Sequence, residues 1–203
     1  MRSIAHLAAA LALIAVSAPA LAQTPRPGII RGAIVSVDGA NVVVKTRSGE
    51  TINLHLKDQQ RIDAVIPAAL SDIKPGVFVG AAAMPAADGT LTAMEVHIFP
   101  EAARGSGEGF RPFDLAPGST MTNANISAVI DSVSGPKLTL TYKGGEQTVV
   151  VDKATPIVTF APGEAGDIKP GASVDIFGST KTAADIYEAA RIVVGRNGVK
   201  VPM

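Results

Sequence analysis

The sequence predicts an all-β protein: two small barrels in tandem, each of five to six strands, behind a cleaved leader. Three observations predict it. The phrase D-I-K-P-G at Asp72–Gly76 returns at Asp167–Gly171. Segments around both copies alternate apolar and polar residues with the period of a half-buried strand. Turn-forming pairs separate those segments at Asp38-Gly39, Ser48-Gly49, Asp88-Gly89 and Gly144-Gly145. Such pairs close hairpins because glycine reaches positive φ without steric cost.

The first element is the leader. Met1-Arg2 precedes the apolar run IAHLAAALALIAVSAPALA, which ends in Ala20-Leu21-Ala22. One positive charge, a short apolar core and a small-x-small ending read as a secretory signal peptide, residues 1–22, cut after Ala22. A membrane anchor is the rival reading, and Pro19 with so many small residues argues against it. The chain has no cysteine, so it carries no lipid anchor on Cys and builds no disulfide. The expectation is an exported protein, periplasmic or secreted, with no transmembrane segment in the mature chain. The 18 Lys+Arg balance 18 Asp+Glu, aromatics are 4% and Trp is absent. Without a basic excess or stacking platforms, nucleic acid is not an expected partner.

The repeat sets the next elements. Read outward from the two D-I-K-P-G phrases, residues 32–56 face residues 127–151, with Val37 meeting Val133, Val42 meeting Leu138 and Val44 meeting Leu140. TAMEVHI (92–98) meets EAARIVV (188–194). The first unit, 28–99, predicts strands over 30–37, 41–46, 51–57, 77–84 and 91–99. The second, 126–195, predicts them over 126–133, 137–143, 146–152, 172–179 and 186–194. Short strands are also expected near 61–66 and 156–160, and 196–203 is a tail. Ile52, Leu54 and Leu56 alternate with Asn53, His55 and Lys57, so one face is buried and one wet.

D-I-K-P-G itself reads as a corner. Residues 68–73 make one helical turn, Pro75 stops it, and Gly76 permits the sharp entry into the next strand. Ile73 and Ile168 are expected to plug the barrels. Three meandering strands, a plug and two more strands follow the order of a five-stranded oligonucleotide/oligosaccharide-binding (OB) type barrel, with an SH3-like barrel as the alternative. Leu70–Val79 spells L-x-D-I-K-P-G-x-x-V. With the tandem arrangement it resembles the uncharacterised tandem OB-like barrel domains of exported bacterial proteins. That resemblance implies the fold and the compartment and carries no chemistry.

The remaining residues bound the chemistry. There is no G-x-S-x-G, H-E-x-x-H or phosphate-loop motif, and no Cys nucleophile. An enzyme is therefore not expected, and no cofactor is implied. Of three histidines, His6 lies in the leader; His55 and His97 alternate outward on the third and fifth strands. Those strands neighbour each other in such a barrel, which makes His55 and His97 a candidate metal pair, outweighed by two solvated side chains. The connection 100–125 is long for a tight linker. It holds two of the six phenylalanines, Phe110 and Phe113, among Arg104, Arg111 and Asp114. The expectation is that Phe110 and Phe113 anchor the connection in a crevice between barrels. The sharper reading makes Arg104, Phe110, Arg111, Phe113 and Asp114 a ligand or partner site there.

Three functions remain open from the sequence. The first is an exported, non-catalytic binding or accessory protein for a periplasmic protein or small molecule. The second is a structural envelope-interaction protein. The third, weakest, is a periplasmic metal-binding protein through His55 and His97.

Overall fold

A computed structural model describes residues 28–133 and 135–201. The leader at 1–22 lies outside them. The described chain is all-β, with strands joined by single turns of 3-10 helix and no α-helix. Among those residues, no helix is long and apolar enough to cross a membrane.

Before the connection run β1 (Ile30–Asp38), β2 (Asn41–Thr46), β3 (Thr51–His55), β4 (Ile62–Pro67), β5 (Phe78–Pro85) and β6 (Leu91–Ile98). The connection holds β7 (Gly109–Pro112) and a 3-10 turn at Glu101–Ala103, where no regular structure was expected. After it come β8 (Thr120–Ile130), β9 (Lys137–Tyr142), β10 (Gly145–Val150), β11 (Ile157–Pro162) and β12 (Ser173–Phe177). The chain closes with β13 (Thr180–Lys181), β14 (Ile186–Glu188) and β15 (Arg191–Gly195).

The strands stand where periodicity places them, but they pair differently. A closed five-stranded barrel runs β6-β5-β8-β9-β10 and returns to β6. Two of its strands precede the connection and three follow it. Its core joins Val79, Ala81 and Val96 to Ile126, Leu138, Leu140 and Val149. A second sheet, continuous with the barrel through β11 and β4, runs β15-β12-β1-β2-β3-β14 and again mixes both sides of the connection. It wraps a second core of Ile34, Val44, Ile52 and Leu54 with Val174, Ile176 and Ile192. Each core thus draws on both of the stretches 28–99 and 126–195.

The cause of the exchange is visible in β4 and β11. These two strands cross antiparallel, Val65 opposite Phe160. Each runs parallel to a strand of the other side of the connection, β4 along β15 and β11 along β6. They carry the chain from one core to the other, over a small third cluster of Val65, Val158 and Val193.

The repeated phrase then acquires a role. Each copy forms a 3-10 turn, Leu70–Asp72 and Ala165–Asp167. The backbone N–H of Ala69 donates to Asp72 Oδ2 and that of Glu164 to Asp167 Oδ2, both at 2.9 Å. Ile73 enters the first core and Ile168 the second. Gly76 and Gly171 turn at φ 89° and 83°, conformations that glycine alone adopts freely. Their N–H groups donate across the connection: Gly76 to Ile126 O and Gly171 to Ile34 O, each 2.8 Å. The returning bonds run from Ile126 to Val77 O (2.8 Å) and from Ile34 to Ala172 O (2.9 Å). Ile34 therefore corresponds to Ile126, and the expected match of Val37 with Val133 is displaced. The β8–β9 connection is longer than the two-residue turn of β1–β2, which shifts that strand's register.

Candidate functional site

The outer faces of the two sheets meet, and their meeting defines the site. Strand alternation sends Val174 and Ile176 into the second core, so Asp175 and Phe177 face out. On β6 a bulge does the same. Ala82 pairs with Glu95 and Ala83 with Ala93, leaving Met94 extra. The extra residue flips the parity, so Val96 stays inside while Glu95 and His97 face out. "Out" here is not solvent: Glu95, His97 and Asp175 are each at most 1% exposed. His97 leaves the barrel as alternation predicts, yet it is buried, because the second sheet covers that face.

A cleft of about 440 Å³ opens at this junction. Phe99, Phe160 and Phe177 wall it, with Asn123, Arg61 and Arg191 contributing the polar lining. The Phe99 and Phe160 rings stack at 6.1 Å, and Phe78 backs Phe99 at 5.2 Å. Arg191 lies over Phe160 and Phe177 at 5.7 and 5.4 Å and is ion-paired with Asp63. Two ring faces and one carboxylate hold that guanidinium in place. Arg61 reaches Asp63 at 3.5 Å and is mostly exposed.

Behind the phenyl wall stands a buried polar group. His97 Nδ1 lies 2.9 Å from Glu95 Oε1, so Nδ1–H donates to the carboxylate and Nε2 is left without a protein partner. The imidazole packs edge-on against Phe99 at 4.6 Å and Phe160 at 5.8 Å. It crosses directly over Gly80, where a Cβ would stand 2.1 Å from Nε2 and 2.8 Å from Asn123 Oδ1. The Asn123 Nδ2 donates to Ser106 O at 2.9 Å, which turns Oδ1 inward. Neither His97 Nε2 nor Asn123 Oδ1 has a hydrogen-bond partner.

On the opposite side of the junction, Arg31 replaces the amide. Its Nη1 and Nη2 donate to Asp114 at 2.8 and 3.0 Å, and its guanidinium lies 5.6 Å from the Phe113 ring. Arg31 Nε is 3.6 Å from the buried Asp175. Burial pushes the Asp175 carboxyl up to about 7, against the pull of Arg31 and Arg47. The hydrogen bonds from Arg31 hold Asp114 below the usual carboxylate range.

The five residues expected to form one site are therefore divided. Phe113 and Asp114 latch the connection onto Arg31. Arg104 is spent on Glu101 (2.6 and 2.7 Å), Asn125 and Gly76 O (2.9 Å). Arg111 donates to Gly107 O at 2.7 Å, and Phe110 is 42% exposed on β7. None of them lines the phenyl cleft. The candidate metal pair is separated as well. His55 sits on β3 opposite Glu188 of β14 and bonds Asn41 at 3.2 Å, on the second sheet. His97 belongs to the closed barrel, since β3 and β6 do not pair. Among the described residues no group of three His, Cys, Asp or Glu is placed to hold a metal.

Sequence reasoning missed Phe99, Phe160, Phe177, Arg61, Asn123 and Arg191. A signal existed: in strand register Phe177 falls on the face opposite Val174 and Ile176, where a large ring calls for a cover.

Compared with protein-family models, curated proteins and solved structures, the chain matches none. The class that fold and site define is therefore the one their geometry gives: an all-β protein with a closed five-stranded barrel and a phenylalanine-walled cleft beside it.

Proposed function

We propose that the chain is an exported, non-catalytic binding protein built from two interlocked OB-like barrels, a duplicated unit whose halves exchange strands. The second sheet closes as a barrel when β14 and β15 are taken as one strand. The leader-like residues 1–22 support export. The observation that carries binding is the 440 Å³ cleft with three phenyl rings on its wall. Its volume and mostly apolar lining fit small-molecule sites, which favour the junctions of packed units.

Native mass spectrometry of protein purified from the periplasm tests this reading. A small molecule should accompany the wild type and be lost in Phe160→Ala. Protein that carries nothing, or a ligand that Phe160→Ala retains, counts against it. A second reading has its own observation. Val129, Ile130 and Val133 are exposed around the β8–β9 connection, an apolar tip suited to an envelope partner. In that case Ile130→Ser should abolish association with envelope fractions while Phe160→Ala leaves it intact.

A further inference from the structure

We propose that the cleft takes a flat aromatic acid with a hydrogen-bond donor on its ring: a ring bearing hydroxyl or amino at its inner end and a carboxylate at its outer end. The proposal rests on the cleft being the binding site and names what it selects. Each part of the ligand answers a feature of the lining. The ring answers Phe99, Phe160 and Phe177, whose π faces favour stacked or edge-on aromatic partners. The outer anion answers charge. Arg61 and Arg191 line the cleft with a single carboxylate, Asp63, between them, so the rim is left one positive charge in excess.

The inner donor answers an orphaned acceptor. Asn123 is 5% exposed and lines the cleft, with Oδ1 unpartnered. His97 Nε2, also unpartnered, stands beside it over Gly80. Buried polar atoms without partners are rare and costly. A ligand hydroxyl or amine in the cleft would satisfy Asn123 Oδ1. Ser106 O takes the amide hydrogen of Asn123, so turning the amide to present its nitrogen would break that bond.

Titration calorimetry on the full-length mature protein tests the assignment, with 4-hydroxybenzoate as probe, benzoate lacking the donor and phenol lacking the anion. The expected result is binding of 4-hydroxybenzoate, at least about tenfold weaker binding of benzoate, and weaker binding of phenol whose affinity, unlike that of 4-hydroxybenzoate, does not fall with added salt. Asn123→Leu should erase the preference for the hydroxyl, and Phe177→Ala should weaken all three. Circular dichroism confirms that each variant is folded, and Phe177→Leu replaces Phe177→Ala if it is not. Equal affinity for benzoate and 4-hydroxybenzoate, both lost in Phe177→Ala, would overturn the donor assignment and leave the cleft as a site. Binding indifferent to Phe177 would remove the cleft itself. No binding of 4-hydroxybenzoate at millimolar concentration would overturn the ligand class.

Discussion

Asn123, Gly80 and His97 form one row of cross-strand neighbours; Arg31, Asp175 and Val193 form the matching row on the second sheet. The match is fixed by backbone bonds, since Ile126 and Ile34 meet the strand after each D-I-K-P-G corner in the same way. The chemistry differs at all three places. In the first row the central residue has no side chain, and the imidazole lies across the gap. His97 Nε2 and Asn123 Oδ1 there are left without partners. In the second row the central residue is itself a carboxylate, and burying it calls for a cation. Arg31 supplies the charge, and Asp114 of the connection occupies the rest of its guanidinium. One backbone frame thus carries an imidazole laid over a glycine on one side and an ion-paired carboxylate on the other.

Each row is assembled from both sides of the connection, so severing the halves breaks both at once. This is the largest expected effect. Residues 28–104 keep only two strands of the closed barrel, and residues 118–203 keep three. Neither should be a folded monomer by circular dichroism and size exclusion, while mixing the two restores cooperative melting. Two folded monomers would leave the rows without their structural basis.

Asp175→Asn tests the latch through pH. The folded carboxyl is raised to about 7 from 3.8, so the folded state binds the proton more tightly than the unfolded chain. Its ionisation therefore costs nothing below about pH 4. The cost grows as pH rises toward 7 and reaches at most about 4 kcal/mol. Urea unfolding across that window should show wild-type stability falling with pH from this group, and the Asn variant should lack that fall. An unchanged pH profile would mean that Asp175 is ionised without penalty.

Gly80→Ala strikes the opposite row. The added Cβ would collide with His97 and Asn123, at a cost of about 1–3 kcal/mol from overpacking. The urea midpoint should drop accordingly, and 4-hydroxybenzoate binding should fall with it. The smallest effect is expected at Asp114→Ala. That carboxylate is 68% exposed, so its pair with Arg31 contributes under about 1 kcal/mol. Stability should barely move, while protease should cut the connection near Gly105–Gly109 somewhat faster.

Much of the fold was legible because it is local. Alternation at Ile52–Leu56, turn pairs such as Asp38-Gly39 and the Pro-Gly corner are short-range signals, and the strands lie where they point. Partner choice was not legible. Nothing in β1 or β5 states whether β5 closes on its own half or on β8, since both alternatives bury the same alternating face. The site followed that error. His97 was assigned outward correctly, but its burial depends on which sheet covers the barrel. Phe110 and Phe113 stood out because the connection is otherwise polar. Phe99, Phe160 and Phe177 did not, because a phenylalanine within or beside an apolar strand passes for core.

The central claim is the exchange of strands across the connection, and cross-strand contacts in solution measure it directly. Nuclear Overhauser effects in the isotope-labelled protein should link Ala82 to Met121 and Arg31 to Asp175, the pairs β5–β8 and β1–β12. Effects linking Ile34 to Val77, and Ile126 to Ala172, would instead place each first strand against its own half. That pattern would contradict the interlocked fold and, with it, the cleft between the halves.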